Sequence, residues 1–389
     1  MINNFFLVTT PIQQTWTKNS PILFLSEGCK RYSSKEKWEN LDYQTVKYHW
    51  DDREKFYSDS CFLEELYEIT LIRLANNLND FHQTNYKTNY WRIIIGPWLS
   101  QFIEILFDRW QMINKAIFEF NISETTILKI DDYAMVPNNM RDFTNKCNND
   151  IWNHYIYSEI LKHIDSSIIL NNALAIPHED SVKIIKDPNI ILPKIKQIIR
   201  LILFWITSKL KKRSKYFFIS VFLSAIQQSK IEFSLKTFPS WFMERYEAIE
   251  IPCVEKRKNF INSEEASGEF EVFLYKIIQK QLPTAYLEGY KQLEVQVQNC
   301  RWPSLPKIIM TSGAHVSDDF FKVWAATKLN LGSKLVIAPH SSLYGSCRWL
   351  SYENHELKIA DRYFSWGWSK DNINKLKLLS KSEFENTIN

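Results

Sequence analysis

Glycine is scarce in this chain, with eight in 389 residues, and each one stands alone. Without clustered glycines there is neither a GxGxxG fingerprint nor a Walker loop, which disfavours nicotinamide-type and P-loop nucleotide chemistry. Cysteine is sparse as well. Cys29, Cys61, Cys147, Cys253, Cys300 and Cys347 are scattered with no CxxC pair, which argues against a zinc knuckle or a dense disulfide frame and suits a reducing cytoplasm. No Asp-x-Asp occurs and no two histidines stand four apart, so no metal clasp and no cofactor are expected. A GxSxG nucleophile elbow is missing too. Long apolar runs are lacking: the uncharged stretch from Leu201 to Ser208 is too short to cross a bilayer as a helix. The opening MINNFFLVTT has no basic start followed by a long apolar stretch, so it reads as a first strand rather than a signal peptide. A formal net charge of +4 is too small to imply a nucleic-acid partner. Metal-free group transfer fits what remains.

Enough apolar residues are present, 45% of the chain, to build a sizeable core. The aromatic content suits sugar stacking and an ordinary core equally. Residues 193 to 215, PKIKQIIRLILFWITSKLKKRSK, have the pattern of a basic amphipathic helix. Such a helix packs one face on the core with a solvated basic end, or lies on anionic lipid. The surrounding stretch, about 165 to 215, carries Pro177, Pro188 and Pro193 and reads as an insertion.

FFLVTT at 5 to 10 and PILFLSEG at 21 to 28 read as short buried strands that end in polar turns. Leu63, Leu66, Tyr67, Leu71, Leu74 and Leu78 recur at helical spacing, and a second, longer helix is expected after Gly96, Pro97 and Trp98. YFFISVFLS at 216 to 224 is a strand or a buried helix. The last third is clearer: KIIMTS at 307 to 312 is a strand, DDFFKVWAATKLN at 318 to 330 a helix ended by Gly332, and KLVIAP at 334 to 339 a second strand.

Strand, short helix and strand in that order make a βαβ unit with parallel strands. In an open parallel sheet, the loops leaving the carboxyl ends of neighbouring strands emerge on one edge, where such folds bind ligands. His315, Asp318, Asp319 and His340 are therefore expected around one cleft. Imidazoles and carboxylates there can serve as general acid or base, nucleophile or cation stabiliser. Ser341, Ser342 and Tyr344 can hydrogen-bond a phosphate or sugar hydroxyls, and Gly345 permits a turn that other residues resist. The plain alternative for Asp318 and Asp319 is a helix first turn, where carboxylates are favoured without any catalytic role.

Several long motifs, in order FLSEGCKRYSSKEKW, YHWDDR, NYWRIIIGPWL, LFDRW, DDFFKVWAA, KLVIAPHSSLYG and ENHELKIADRYFSWGW, resemble a family of transferases encoded in bacterial O-antigen and other surface-polysaccharide clusters. The likeness runs through nearly the whole chain and is weakest from about 165 to 290. That family looks related to retaining β-Kdo transferases of the two-lobed GT-B type, which use CMP-Kdo. The resemblance implies an α/β, GT-B-like lobe over residues 1 to 370, a Rossmann-like parallel sheet flanked by helices, with the second lobe missing or truncated after a tail at 371 to 389.

The family's D-E-x-F-K-x-W-A pattern falls on Asp318, Asp319, Phe321, Lys322, Trp324 and Ala325. Its Q-H-G-G-x-Y-G falls on Pro339, His340, Ser341, Ser342, Tyr344 and Gly345, departing at Pro339 and at both serines. The pattern E-x-H-E-x-x-x-A-D matches Glu353, His355, Glu356, Ala360 and Asp361, for which a solvated helix face is the plain alternative. By this likeness Asp318, Asp319 and His340, joined by His315 from its place at the same sheet edge, are the candidate catalytic residues. Lys322, Ser341, Ser342, Tyr344, Gly345, Glu353 and Glu356 are candidate substrate contacts.

Three earlier residues join the substrate contacts. Arg53 can hold an anionic sugar in the forked manner of arginine, or sit in a salt-bridged corner before the next helix. Arg92 stands near the opening of the second long helix, and Glu27 ends the second strand. The implied partners are a nucleotide-sugar donor such as CMP-Kdo and a saccharide or lipid-linked acceptor, met on the cytoplasmic side of the inner membrane. Two other classes stay open: a non-catalytic sugar- or partner-binding lobe, and a membrane-surface scaffold using residues 193 to 215.

Overall fold

Short apolar runs bounded by polar turns make ten strands among the described residues, and every paired neighbour is parallel. The computed structural model describes residues 4–17, 19–164, 166–174, 213–237, 252–258, 260–262, 266–341, 343–365, 367–368 and 376–378. Two compact units divide the chain: Met1–Arg73, Trp98–Glu179 and Ile251–Thr284 form the first; Leu74–Pro97, Asp180–Glu250 and Ala285–Asn389 form the second. One lobe over residues 1 to 370 is what the resemblance implies; each unit holds its own five-stranded sheet.

The first unit's sheet runs β3-β2-β1-β4-β5, with β1 at Phe5–Val8, β2 at Ile22–Phe24, β3 at Tyr43–Thr45, β4 at Ile122–Lys129 and β5 at Ile169–Leu174. Every residue of β1 and β2 is buried, the pattern of parallel strands covered on both faces. Helix α1 spans Arg53–His82 and α2 Thr88–Glu119, of which residues 53 to 73 and 98 to 119 belong to this unit, and α3 spans Asp150–His163 and packs on β4. Asn149 caps α3 by accepting from the amides of Ile151 and Trp152. Inside this unit His154 of α3 joins β4 to the turn after β1. Its Nε2 accepts the Leu128 amide at 3.1 Å, and its Nδ1 lies 3.4 Å from the hydroxyls of both Thr9 and Thr10. An imidazole that accepts at Nε2 carries its one proton on Nδ1 and is neutral. Burial, with a smaller contribution from Lys162, lowers its pKa to about 4.

Two expectations change here. The stretch read as an insertion from residue 165 holds β5, which extends β4 in parallel register from Glu124 opposite Ile169 to Lys129 opposite Leu174. Of the basic amphipathic segment expected at 193 to 215, residues 193 to 212 lie outside the described ones. Nor does the second long helix open after Pro97. It begins at Thr88 and carries Pro97 in its interior. Proline removes one helical hydrogen bond there. Full burial of Trp91, Ile93, Ile94, Ile95 and Trp98 rewards continuing the helix through it.

The second unit's sheet runs β10-β9-β8-β7-β6, with β6 at Tyr216–Ile219, β7 at Ile308–Thr311, β8 at Lys334–Ile337, β9 at Arg362–Ser365 and β10 at Leu376–Leu378. The ambiguous apolar run at 216 is thus a strand. Its helices are α4 at Ala225–Ser234, packed near β6; α5 at Tyr290–Asn299, packed on α6; α6 at Asp319–Asn330, packed near β8; and α7 at Ser351–Ile359. Gly332 ends α6 with φ of +102°, the left-handed turn that glycine adopts without a Cβ penalty. Mixed α/β layers of parallel strands flanked by helices make the architecture Rossmann-like, consistent with the GT-B-like lobe that the resemblance implies. Among the described residues, no helix is long and apolar enough to cross a membrane.

Candidate functional site

The loops after β7 and β8 leave the second unit's sheet on its carboxyl edge, because the two strands pair in parallel from Ile308 opposite Lys334 to Thr311 opposite Ile337. The first loop turns at once into a short helix, Ala314–Ser317, which buries His315 completely. The second carries His340, which is exposed to solvent. Both imidazoles reach one carboxylate. Glu356 of α7, itself fully buried, accepts from His315 Nε2 at 2.8 Å, and its Oε1 lies 3.6 Å from His340 Nδ1.

Two tyrosines complete the surroundings of that carboxylate. Tyr344 donates its hydroxyl to Glu356 Oε1 at 3.1 Å, and Tyr363 donates to Oε2 at 3.0 Å. Burial, followed by the charge of Glu356, raises both phenol pKa values, so each remains a protonated donor. The Tyr344 oxygen also lies 3.4 Å from His340 Nδ1, close enough to accept from it. A buried carboxylate without such donors would be strongly destabilising, and here His315, Tyr344 and Tyr363 replace water. The contact with His315 requires a proton on its Nε2. Its Nδ1 is buried without a hydrogen-bond partner.

Glu353, one turn earlier on α7, is also buried and accepts the Gly345 amide at 2.6 Å. Gly345 has φ of +76°, as the turn reading required, and a Cβ there would come within 2.3 Å of the Trp368 indole. The alternative of a solvated face for these charges is therefore overturned: Glu353, His355 and Glu356 all point inward. Tyr344, Tyr363, His315 and the Gly345 amide supply the partners that let charge go inside.

Asp318 and Asp319 are engaged in the frame. Asp318 caps α6, accepting the Phe321 amide at 3.0 Å. Asp319 pairs with the fully buried Lys322 at 2.6 Å and accepts from the Tyr286 hydroxyl at 2.7 Å, while Lys322 donates to the Tyr286 oxygen at 2.8 Å. Burial lowers the Lys322 pKa, and Asp319 opposes that shift. His355 is buried with neither ring nitrogen hydrogen-bonded. Its pKa falls well below the ordinary value, through burial first and then the nearby charges of His315, Arg92, Lys322 and Lys358.

The remaining candidates are spread more widely. Arg92 lies in the second turn of α2, since that helix opens at Thr88. Ser341 accepts the Leu343 amide at 3.2 Å, a local turn contact, and Ser342 lies outside the described residues. In the first unit, Glu27 follows β2, a parallel strand, and is exposed in an ion pair with Lys30 at 3.0 Å. Arg53 is exposed at the start of α1. The corner before α1 is built by its neighbours: His49 Nε2 meets Asp108 Oδ1 at 3.1 Å, and Asp52 accepts the amides of Glu54 and Lys55. Sequence reasoning missed Tyr286 and Tyr363, whose hydroxyls reach carboxylates 33 and 7 residues away. Among the described residues, no group of three or more histidine, cysteine, aspartate or glutamate side chains could hold a metal ion.

A family model described as LIC12162 family transferase matches residues 5–387. The chain belongs to that family. Family membership makes it a transferase at the coarse level, acting on a donor and an acceptor. No curated protein and no solved structure matches the chain significantly.

Proposed function

We propose that this family member is a glycosyltransferase of surface-polysaccharide assembly, which moves Kdo or a related sugar from a CMP-sugar to a saccharide or lipid-linked saccharide with retention. The observation that carries the reading is the exposed His340 held against the buried Glu356 carboxylate at the carboxyl edge of a parallel sheet. An imidazole so placed passes a proton to a departing phosphate or takes one from an incoming hydroxyl, and the carboxylate behind it orients the ring. The motif resemblance to retaining β-Kdo transferases supports the choice of sugar and stereochemistry.

In this reading Glu356, His315, Tyr344 and Tyr363 position His340. Asp318 and Asp319, first candidates for attack on or stabilisation of the anomeric carbon, have partners that favour a framing role. Arg92, Ser341 and Gly345 remain candidate substrate contacts, as do Glu27 and Arg53. The acceptor is expected at the cytoplasmic face of the inner membrane.

The test is turnover of CMP-Kdo by the purified chain with a panel of saccharide acceptors, with product anomeric configuration read by NMR. CMP release coupled to a product that keeps the donor's configuration is expected. Inverted product refutes retention, and absence of turnover with every CMP-sugar and acceptor refutes the donor assignment.

A further inference from the structure

The loop between β6 and α4 carries one aromatic side chain that no motif singled out. Phe222 is 69% exposed at the carboxyl edge of the second unit's sheet. It stands over the candidate site: its ring lies 6.2 Å from that of His340, centroid to centroid, with the planes only 21° apart. Parallel pairing of β6, β7 and β8 puts the two loops on one edge.

The Phe222 loop is fixed at both ends. Ser220 adopts φ of +49°, a left-handed conformation that is uncommon without glycine, and its carbonyl accepts the Ser312 amide at 3.1 Å. Ser224 forms a capping box with Gln227: its amide donates to Gln227 Oε1 at 3.0 Å, and its hydroxyl accepts the Gln227 amide at 3.3 Å. Two anchored residues, four positions apart, hold the intervening turn with its aromatic ring outward. Strain at such a turn points to a use for the conformation.

We infer that Phe222 is the stacking platform for the planar base of the donor nucleotide, seated beside the imidazole that serves its phosphate. This rests on the nucleotide-sugar reading above. Every nucleobase offers a π-face, so an exposed ring on a rigid turn binds it with little ordering cost. Phe222 would therefore set affinity for the base while taking no part in the bond being made or broken.

Titration calorimetry of CMP against the wild-type chain, Phe222→Ala and Phe222→Tyr tests the assignment, alongside saturation-transfer NMR that resolves base protons from ribose protons. The alanine variant is expected to bind roughly ten-fold more weakly. Tyrosine should restore affinity. Saturation in the wild type should fall mainly on the base and move towards the ribose in the alanine variant. Because Phe222 is exposed, its removal is expected to leave the fold and thermal transition unchanged. Equal CMP affinity for wild type and Phe222→Ala overturns the platform and leaves the transfer reading standing. Weakened binding with an unchanged base-to-ribose ratio also overturns it, since the ring would then serve the sugar. A wild-type chain that binds no nucleotide removes the platform and the donor assignment together.

Discussion

His154 ties α3 to β4 and to the turn after β1 as a neutral imidazole, so acid should loosen the first unit through this one side chain. Its pKa is about 4 in the folded chain against 6.5 for the free side chain. A depressed folded value means that the unfolded chain takes up the proton first as pH falls. The contribution is therefore fully present above pH 6.5 and drains away between 6.5 and about 4. Each unit of difference corresponds to about 1.4 kcal/mol, so the loss from this residue reaches about 3 kcal/mol near pH 4. The structural cause is specific: a protonated ring cannot accept the Leu128 amide, and that buried donor would lose its partner. Urea unfolding followed by tryptophan fluorescence between pH 8 and pH 4, for wild type and His154→Gln, isolates the effect because other titrating groups are common to both. The glutamine variant should be less stable at pH 8 and should lack this acid-dependent component, so the gap between the two proteins narrows as pH falls. A gap that stays constant across the range refutes the reasoning.

Gly345→Ala should destabilise by about 2–4 kcal/mol, because alanine is strained at φ of +76° and its Cβ meets the Trp368 ring near its attachment point; chemical denaturation measures it. Lys322→Met leaves the Asp319 carboxylate uncompensated in the interior and should cost about 3–5 kcal/mol. The double change Asp319→Leu with Lys322→Met should recover most of that loss, whereas additive losses would contradict the ion-pair account. His340→Asn should lower transfer from CMP-Kdo by roughly 10²-fold or more while leaving the thermal transition in place, since the side chain is exposed.

The sequence made the β7–α6–β8 unit legible because apolar strands, a capped helix and a terminating glycine sit close together, and their order fixes parallel pairing. From that pairing alone His315 and His340 could be placed on one edge, and they meet at Glu356. The interior of α7 was harder to read. Glu353 and Glu356 look like a solvated face until the Gly345 amide is folded against the first and the hydroxyls of Tyr344 and Tyr363 against the second. Pro97 misled about the start of α2 because its local penalty is outweighed by flanking burial that appears only in the folded state. β5 escaped notice for a different reason: ILNNAL is an edge strand with several exposed positions and no clean alternation.

The central claim is that a buried carboxylate, shared by two imidazoles and two phenols, readies His340 for proton transfer. Its most direct test is the single-turnover rate of CMP release from CMP-Kdo by Glu356→Gln, which keeps the side chain's size and removes its charge. With near-ultraviolet dichroism matching the wild type, the account predicts a fall of roughly 10²-fold or more. A rate within two-fold of the wild type would contradict it.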